Sequence, residues 1–324
     1  MSDVIVFAET DDREIHPITY ELLGKGRELC DKMDASLATV LLSGKSIEPD
    51  ELFYHGAEKV YRATDEAFSK PLEIPYKEAV VQLVEREDPK ALLIGATNFG
   101  RSLAPRIAME LHAGLTADCV DLDVDEDGDL IQIRPAFSGN LLAHIKTRSS
   151  PQMTTVRYRE MEKPDRNESL QGEVVELEVD ISPKATEGLE ILKETRTEKV
   201  DLEDADKVVS GGRGLKQSSD FELLEELAEL LGAEIGASRP LVDEGWIDRA
   251  HQVGYSGRRV KPKTYIACGI SGQSQHLAGM KESDKIIAIN NDPSAPIFEY
   301  ADYGIVGDLY EVVPELIRQL KGGS

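Results

Sequence analysis

Short apolar runs recur along this chain, each followed by a segment whose apolar residues return at helical spacing. "VIVFAE" (Val4–Glu9) reads as a buried strand, and Ile15, Ile18, Leu22, Gly26, Leu29 and Met33 then mark one face of a helix. "LATVLL" (Leu37–Leu42), "KVYRAT" (Lys59–Thr64) and "ALLIGAT" (Ala91–Thr97) continue the series, with helical stretches between them. Strands that alternate with helices must cross over to pair, which gives a parallel sheet covered on both faces. "DCVDLDVDEDGDLIQIRPAF" and "TTVRYRE" break the pattern. Asp127-Gly128 sits between two apolar runs, a hairpin signal, so the first domain is expected to end in antiparallel strands.

The strand–helix series restarts at "KVVSGGRGL". The next helix carries Leu223, Leu224, Leu227, Leu230 and Leu231, with Ser219 and Glu222 at capping-box spacing. "TYIACGI" and "KIIAIN" read as strands and "LYEVVPELIRQLK" as a terminal helix. Between the two series, Ser182–Lys207 is charged and weakly periodic, a candidate connection. With 324 residues the chain suits two domains, placed at 1–203 and 204–324.

Charge and composition exclude several function classes. The formal net charge is −24, so a polyphosphate backbone would be repelled and nucleic-acid binding is not expected. The acidic surface fits either plain solubility or a very salty cytoplasm. No apolar run reaches membrane-spanning length. "MSDVIVFAET" lacks the pattern of a secretory or transit signal, and Cys30, Cys119 and Cys268 are scattered, so a reducing cytoplasm is the expected location. His16, His55, His112, His144 and His251 are isolated and read as structural or exposed. Asp123, Asp125 and Asp127 alternate like a calcium loop but lack its ligand order, which favours a solvated strand.

Three strand ends in the second half carry the binding signal: Ser210–Gly214 after "VVSGGRGL", Ser271 and Gly272 after "ACGI", and Asn290, Asn291 and Asp292 after "IIAI". Ligands lie outside the carboxyl ends of an open parallel sheet. Glycines admit an anion close to backbone N–H groups, a following helix N-terminus adds positive charge, and Arg213 can add a charge-assisted contact. The pattern suggests a dinucleotide, against a reading as three tight turns. His276 after the second loop is either a helix-start residue or part of the site. Arg239 in "GASRPLVDEG" is solvated or ligand-facing, and the irregular Gln252–Pro262 either wraps a ligand or forms a loop. No nucleophile elbow, zinc motif or acid–base pair occurs, so no catalytic or metal-ligating residue is expected and the chemistry would belong to a cofactor.

These loops resemble those of the alpha subunit of electron transfer flavoproteins. The resemblance runs through "VVSGGRGL", "GASRPLVDEGW", "QVGYSGRRVKPKTYIACGISGQSQHLAGM" and "AINNDPSAPIFEYADYGIVGDLYEVVPEL", and also through "GATNFGRSLAPRIAMELHAGLTADC", "RPAFSGNLLAHI" and "PQMTTVR". It implies an N-terminal parallel-sheet α/β domain with some antiparallel strands, contacting a beta subunit. A C-terminal doubly wound α/β domain would then hold FAD noncovalently. By the matching motifs, Arg213, Ser238, Ser271 and Gly272 would lie near the pyrophosphate, and Asn290 and Asp308 toward the adenosine. Arg239, Ser256 and His276 would surround the isoalloxazine ring, Ser256 near N5 and His276 near the C2 carbonyl. Gln252, Val253, Gly254, Tyr255, Gln273, Ser274, Gln275 and Leu309 complete the implied cofactor set. A donor near the C2 oxygen favours reduction, because negative charge gathers there. Two departures stand out: "VGYSG" where the family usually has "VGQTG", and "SGQSQH" for "SGAIQH".

The resemblance implies a heterodimeric carrier passing single electrons from flavoprotein dehydrogenases, such as acyl-CoA dehydrogenases, to an acceptor such as a membrane quinone oxidoreductase. Alternatives are an electron-bifurcating form with a second FAD in the beta subunit, a self-sufficient FAD or NAD oxidoreductase, and a nucleotide-binding scaffold.

Overall fold

The computed structural model describes residues 3–11, 14–136, 141–186 and 202–322. The chain forms two compact units that divide between 192 and 193. Residues 187–201 of the expected connection lie outside the described residues.

The first unit opens with β1 (Val4–Ala8), a short ribbon of β2 (Thr10–Asp11) and β3 (Glu14–Ile15), and helix α1 (Ile18–Met33). It continues through β4 (Leu37–Ser43), α2 (Asp50–Tyr54), β5 (Lys59–Thr64), α3 (Glu73–Glu87), β6 (Ala91–Gly95) and α4 (Asn98–Glu110). The remaining strands are β7 (Leu115–Cys119), β8 (Asp121–Val124), β9 (Leu130–Ala136), β10 (Leu141–Ile145), β11 (Gln152–Val156) and β12 (Glu173–Glu176). Seven strands make a parallel sheet in the order β12-β5-β4-β1-β6-β11-β7. Its central strands are apolar at nearly every position because both faces are covered. Leu22, Leu29 and Leu52 of α1 and α2 pack on one face, and Tyr76, Leu83, Leu103 and Ile107 of α3 and α4 pack on the other.

The antiparallel strands β8, β9 and β10 form a separate three-stranded sheet. They do not end the unit, as the sequence suggested. The chain returns as β11 between β6 and β7, then as β12 at the sheet edge. All five residues of β11 are buried, which a two-sided sheet position demands. The Asp127-Gly128 turn does join an antiparallel pair. Its acidic loop is neutralised by Lys146, whose Nζ lies 2.6 Å from both Asp125 and Asp129, while Asp123 pairs with Lys32.

The second unit holds β13 (Lys207–Gly211), α5 (Phe221–Leu231), β14 (Glu234–Ala237), α6 (Arg239–Asp243), β15 (Thr264–Cys268), α7 (Ser274–Leu277), β16 (Ile286–Asn290), β17 (Tyr303–Val306) and α8 (Leu309–Gly322). Its sheet is wholly parallel, in the order β14-β13-β15-β16-β17. Helices α5 and α8 cover one face through Leu224, Leu227, Val313 and Ile317. Leu202, Leu277, Met280 and Ile297 cover the other. The edge strands β14 and β17 escape sequence reading because they are short, half exposed and interrupted by Gly236 and Gly304. The capping device also differs from expectation. Asp220, not Glu222, closes the turn before α5, accepting from the backbone N–H groups of Lys216 and Gln217 at 3.0 and 3.1 Å.

Helix α4 starts hard against the end of β6. Thr97 caps it by accepting from the Gly100 N–H at 2.9 Å, and a Cβ on Gly100 would lie 1.9 Å from the Gly95 carbonyl oxygen. Gly100→Ala should therefore destabilise the first unit by about 1–3 kcal/mol, although alanine is the better helix former. Urea unfolding checks this, and a variant more stable than the parent would show that the contact is not limiting.

Candidate functional site

In the second unit β13 comes first in sequence, β14 pairs on one side of it and β15 on the other, so the strand order reverses between β13 and β15. This is the topological switch point at which open α/β sheets bind ligands. The loops leaving the two strands touch backbone to backbone. Gly212 N–H donates to the Cys268 carbonyl at 2.9 Å and Gly214 N–H to the Gly269 carbonyl at 3.0 Å. A Cβ on Gly212 would lie 2.5 Å from the Gly269 oxygen, and one on Gly214 would lie 2.6 Å from the Gly269 Cα, so no side chain fits between the loops. Above them opens a cleft of about 790 Å³, within the range of cofactor sites.

One part of the cleft is built for an anion. Arg213 and Lys216 line it, and neither forms an ion pair among the described residues; the Lys216 ammonium rests 4.4 Å over the Tyr310 ring. The backbone N–H groups of Ser271, Gly272 and Gln273 donate to no group among the described residues. Consecutive free N–H groups of this kind form an anion-binding nest. The helix contribution expected from sequence is small. Helix α7 has four residues and α6 five, while the long helix α8 is preceded by Asp308, whose carboxylate accepts from the Tyr310 N–H at 3.0 Å. The positive potential therefore comes from two side chains and a loop. Asn290 is buried and committed at both ends, donating to the Ile270 carbonyl and accepting from the Asp292 N–H, each at 2.9 Å.

A second wall comes from Gln252–Ser256 and Gln273–His276. Tyr255 N–H donates to the Gln275 carbonyl at 2.7 Å and joins the two segments. The buried Gln252 amide donates to Ser256 Oγ at 3.1 Å, which leaves the Ser256 hydroxyl proton free to point elsewhere. Tyr255 is 70% exposed at the rim. Arg239 is held by Asp243 at 3.1 Å with both side chains more than half exposed, a weak bond that can be exchanged cheaply. His276 is buried. Its Nε2 lies 3.0 Å from the Tyr265 hydroxyl, and its buried Nδ1 has no hydrogen-bond partner among the described residues. Burial lowers its pKa from the ordinary value to about 4, so the ring is neutral at physiological pH.

The structure brings Arg213, Ser238, Arg239, Ser271, Asn290, Asp308 and Leu309 to one cleft with the residues of the second wall. Gly272 and Ser274 are not among its lining residues. Gly272 turns the loop at φ 85°, where a Cβ would meet the Ile297 N–H at 2.3 Å, and Ser274 begins α7 facing solvent. Sequence reasoning missed Lys216, Tyr310 and Pro240, all of which line the cleft. Lys216 had a signal, three residues after Arg213 in the same loop. Tyr310 had none, because it enters from the last helix.

The lowered His276 pKa makes a stability claim. Between about pH 6.5 and pH 4 the unfolded chain binds a proton at this residue and the folded chain does not, so stability falls as pH falls through that window. The loss from pH 7.5 to 4.5 should be about 2–3 kcal/mol larger than in His276→Gln, which cannot titrate. Urea unfolding at the two pH values measures the difference, and equal losses would show that His276 is not held neutral.

The match to known proteins covers both units. Residues 4–182 match the electron transfer flavoprotein domain, and residues 201–281 match the electron transfer flavoprotein FAD-binding domain. The chain is 46% identical to the electron transfer flavoprotein subunit alpha of Thermoanaerobacterium thermosaccharolyticum, covering 98% of each. It is 46% identical to the FixB protein of Clostridium saccharobutylicum over 98% of this chain and 96% of that one. It is 42% identical to the lactate dehydrogenase (NAD(+),ferredoxin) subunit LctC of Acetobacterium woodii over 98% of this chain and 77% of that one. With both domain models and near-complete relatives in agreement, the chain belongs to the electron transfer flavoprotein alpha-subunit family.

Proposed function

We propose that the second unit holds one FAD noncovalently and that the chain serves as the flavin-carrying half of a single-electron carrier. The observation that supports this most directly is the anion end of the cleft. In a chain of net charge −24, Arg213 and Lys216 have no carboxylate partner among the described residues, and three backbone N–H groups beside them are likewise unused among those residues. That donor set fits a pyrophosphate. Bound FAD would supply the redox chemistry, accepting and releasing one electron at a time. The chain's residues then bind and orient it: Arg213 with the Ser271–Gln273 loop at the phosphates, Asn290 and Asp308 toward the adenosine. Ser256, with its proton left free by Gln252, and the neutral His276 would face the ring.

The wider assignment follows the family. A beta subunit completes a heterodimer and contacts the first domain, taken as 1–203, while 204–324 carries the flavin. Flavoprotein dehydrogenases donate electrons, a quinone oxidoreductase accepts them, and the complex works in the cytoplasm without a substrate of its own. A second reading, an electron-bifurcating form, draws support from the 42% identity to LctC, whose name joins NAD and ferredoxin. In that case the beta subunit would carry a second FAD, so counting flavins per dimer separates the two.

Arg213→Ala should weaken FAD binding by roughly ten- to a hundredfold, since a charge-assisted bond contributes about 1.5–3 kcal/mol. Calorimetric titration of the FAD-free protein checks this, and unchanged affinity would remove Arg213 from the phosphates. Size measurement on the purified complex should give a one-to-one heterodimer. An active, flavin-replete monomer would contradict that assembly.

A further inference from the structure

At the anion end of the cleft, one of the two cations is held by an arrangement that spans the whole second unit. Lys216 leaves the β13 loop and Tyr310 enters from the start of α8, ninety-odd positions later. The Tyr310 hydroxyl accepts from the Lys216 backbone N–H at 2.8 Å and donates to Asp220 Oδ2. The same Oδ2 accepts from the backbone N–H groups of Lys216 and Gln217. Leu215, buried between Arg213 and Lys216, anchors the loop from below, and its N–H donates to the Gly212 carbonyl at 3.0 Å. The backbone that carries Lys216 is therefore tied both to its own turn and to the last helix.

The hydroxyl also decides what the lysine side chain meets. Two carboxylates flank Tyr310, Asp220 and Asp308, and an ammonium nearby would ordinarily be drawn to one of them. Asp220 Oδ2 already takes three donors, one of them the phenol, and Asp308 takes the Tyr310 N–H. Burial and the bond to Asp220 push the phenol pKa up to about 12, so the proton stays on Tyr310 and the donor is permanent at physiological pH. The Lys216 ammonium lies instead 4.4 Å over the Tyr310 ring. At an exposed site such a contact is weak beside a charge-assisted bond to phosphate, so an arriving anion can take the ammonium from the ring at little cost.

We propose that Lys216 is a second phosphate-binding cation of the cleft and that Tyr310 is its positioning residue: the hydroxyl ties down the loop and occupies Asp220, while the ring holds the ammonium in reserve at the cleft wall. This deepens the reading of the cleft as a flavin site and rests on it for the identity of the anion, a pyrophosphate ester.

The test titrates the full chain, freed of FAD, with FAD and separately with inorganic pyrophosphate, by calorimetry at two salt concentrations. Lys216→Gln should weaken both ligands by roughly three- to thirtyfold and flatten the salt dependence, and Lys216→Arg, which keeps the charge, should recover most of the loss. Tyr310→Phe, which keeps the ring, should weaken both by roughly two- to fivefold in the parent chain and leave affinity unchanged in Lys216→Gln, because the hydroxyl acts through the lysine. Thermal midpoints show that the variants are folded. Wild-type affinity in Lys216→Gln overturns the proposal. So does Tyr310→Phe with no loss, or with the same loss in both backgrounds, which would make the tyrosine a separate contact or a structural residue. If the expected pattern holds for pyrophosphate while the wild-type chain does not bind FAD, the Lys216–Tyr310 assignment survives and the flavin reading fails. A wild-type chain that binds neither ligand overturns both.

Discussion

The site depends on one contact, the passage of the Gly212–Gly214 backbone across Gly269 at the reversal point of the second sheet. Two loops leaving adjacent parallel strands usually diverge. Here they share two hydrogen bonds and exclude any side chain between them. The contact seals the cleft floor and satisfies the polar groups at the strand ends. In the same loop the N–H groups of Ser271, Gly272 and Gln273 donate to no group among the described residues. Much of the rest of the cleft is fitted around that junction, including Arg213 between the two glycines and His276 after the turn at Gly272.

Charge distribution reinforces this reading. Across the acidic surface, basic side chains such as Lys146, Lys32 and Arg166 are drawn into carboxylate pairs. These pairs are exposed and contribute little to stability individually. Among the described residues Arg213 and Lys216 escape such pairing, so a local positive potential survives in a strongly negative chain. A dianionic ligand would gain both from the two cations and from relief of their mutual repulsion. The arrangement also explains why long helix dipoles are unnecessary here: α6 and α7 are too short to supply much, and α8 is capped by Asp308.

The second wall follows a different rule. Its polar side chains are oriented by neighbours that lie deeper in the unit. Gln252 holds Ser256, and Tyr265 holds His276. In each case a hydrogen bond to a buried neighbour holds the residue that reaches the cleft, which removes rotational freedom before a ligand arrives. Such preorganisation lowers the cost of binding and sets which proton each group can present.

Much of this was legible in the sequence. Alternating apolar runs and helical periods specify parallel α/β units, because burial on two faces leaves few polar positions in a strand. The ends of those runs, rich in glycine, serine and asparagine, mark the binding edge. What local pattern could not supply was any relation between distant segments. The return of β11 into the first sheet, the edge strands β14 and β17, and the cleft residue Tyr310 are decided by strand order, which is a property of long-range packing. The same holds for the neutral state of His276. A histidine after a glycine turn can be charged or neutral, exposed or buried. Only the folded core, which removes water and brings a tyrosine hydroxyl from an adjacent strand to its Nε2, determines which.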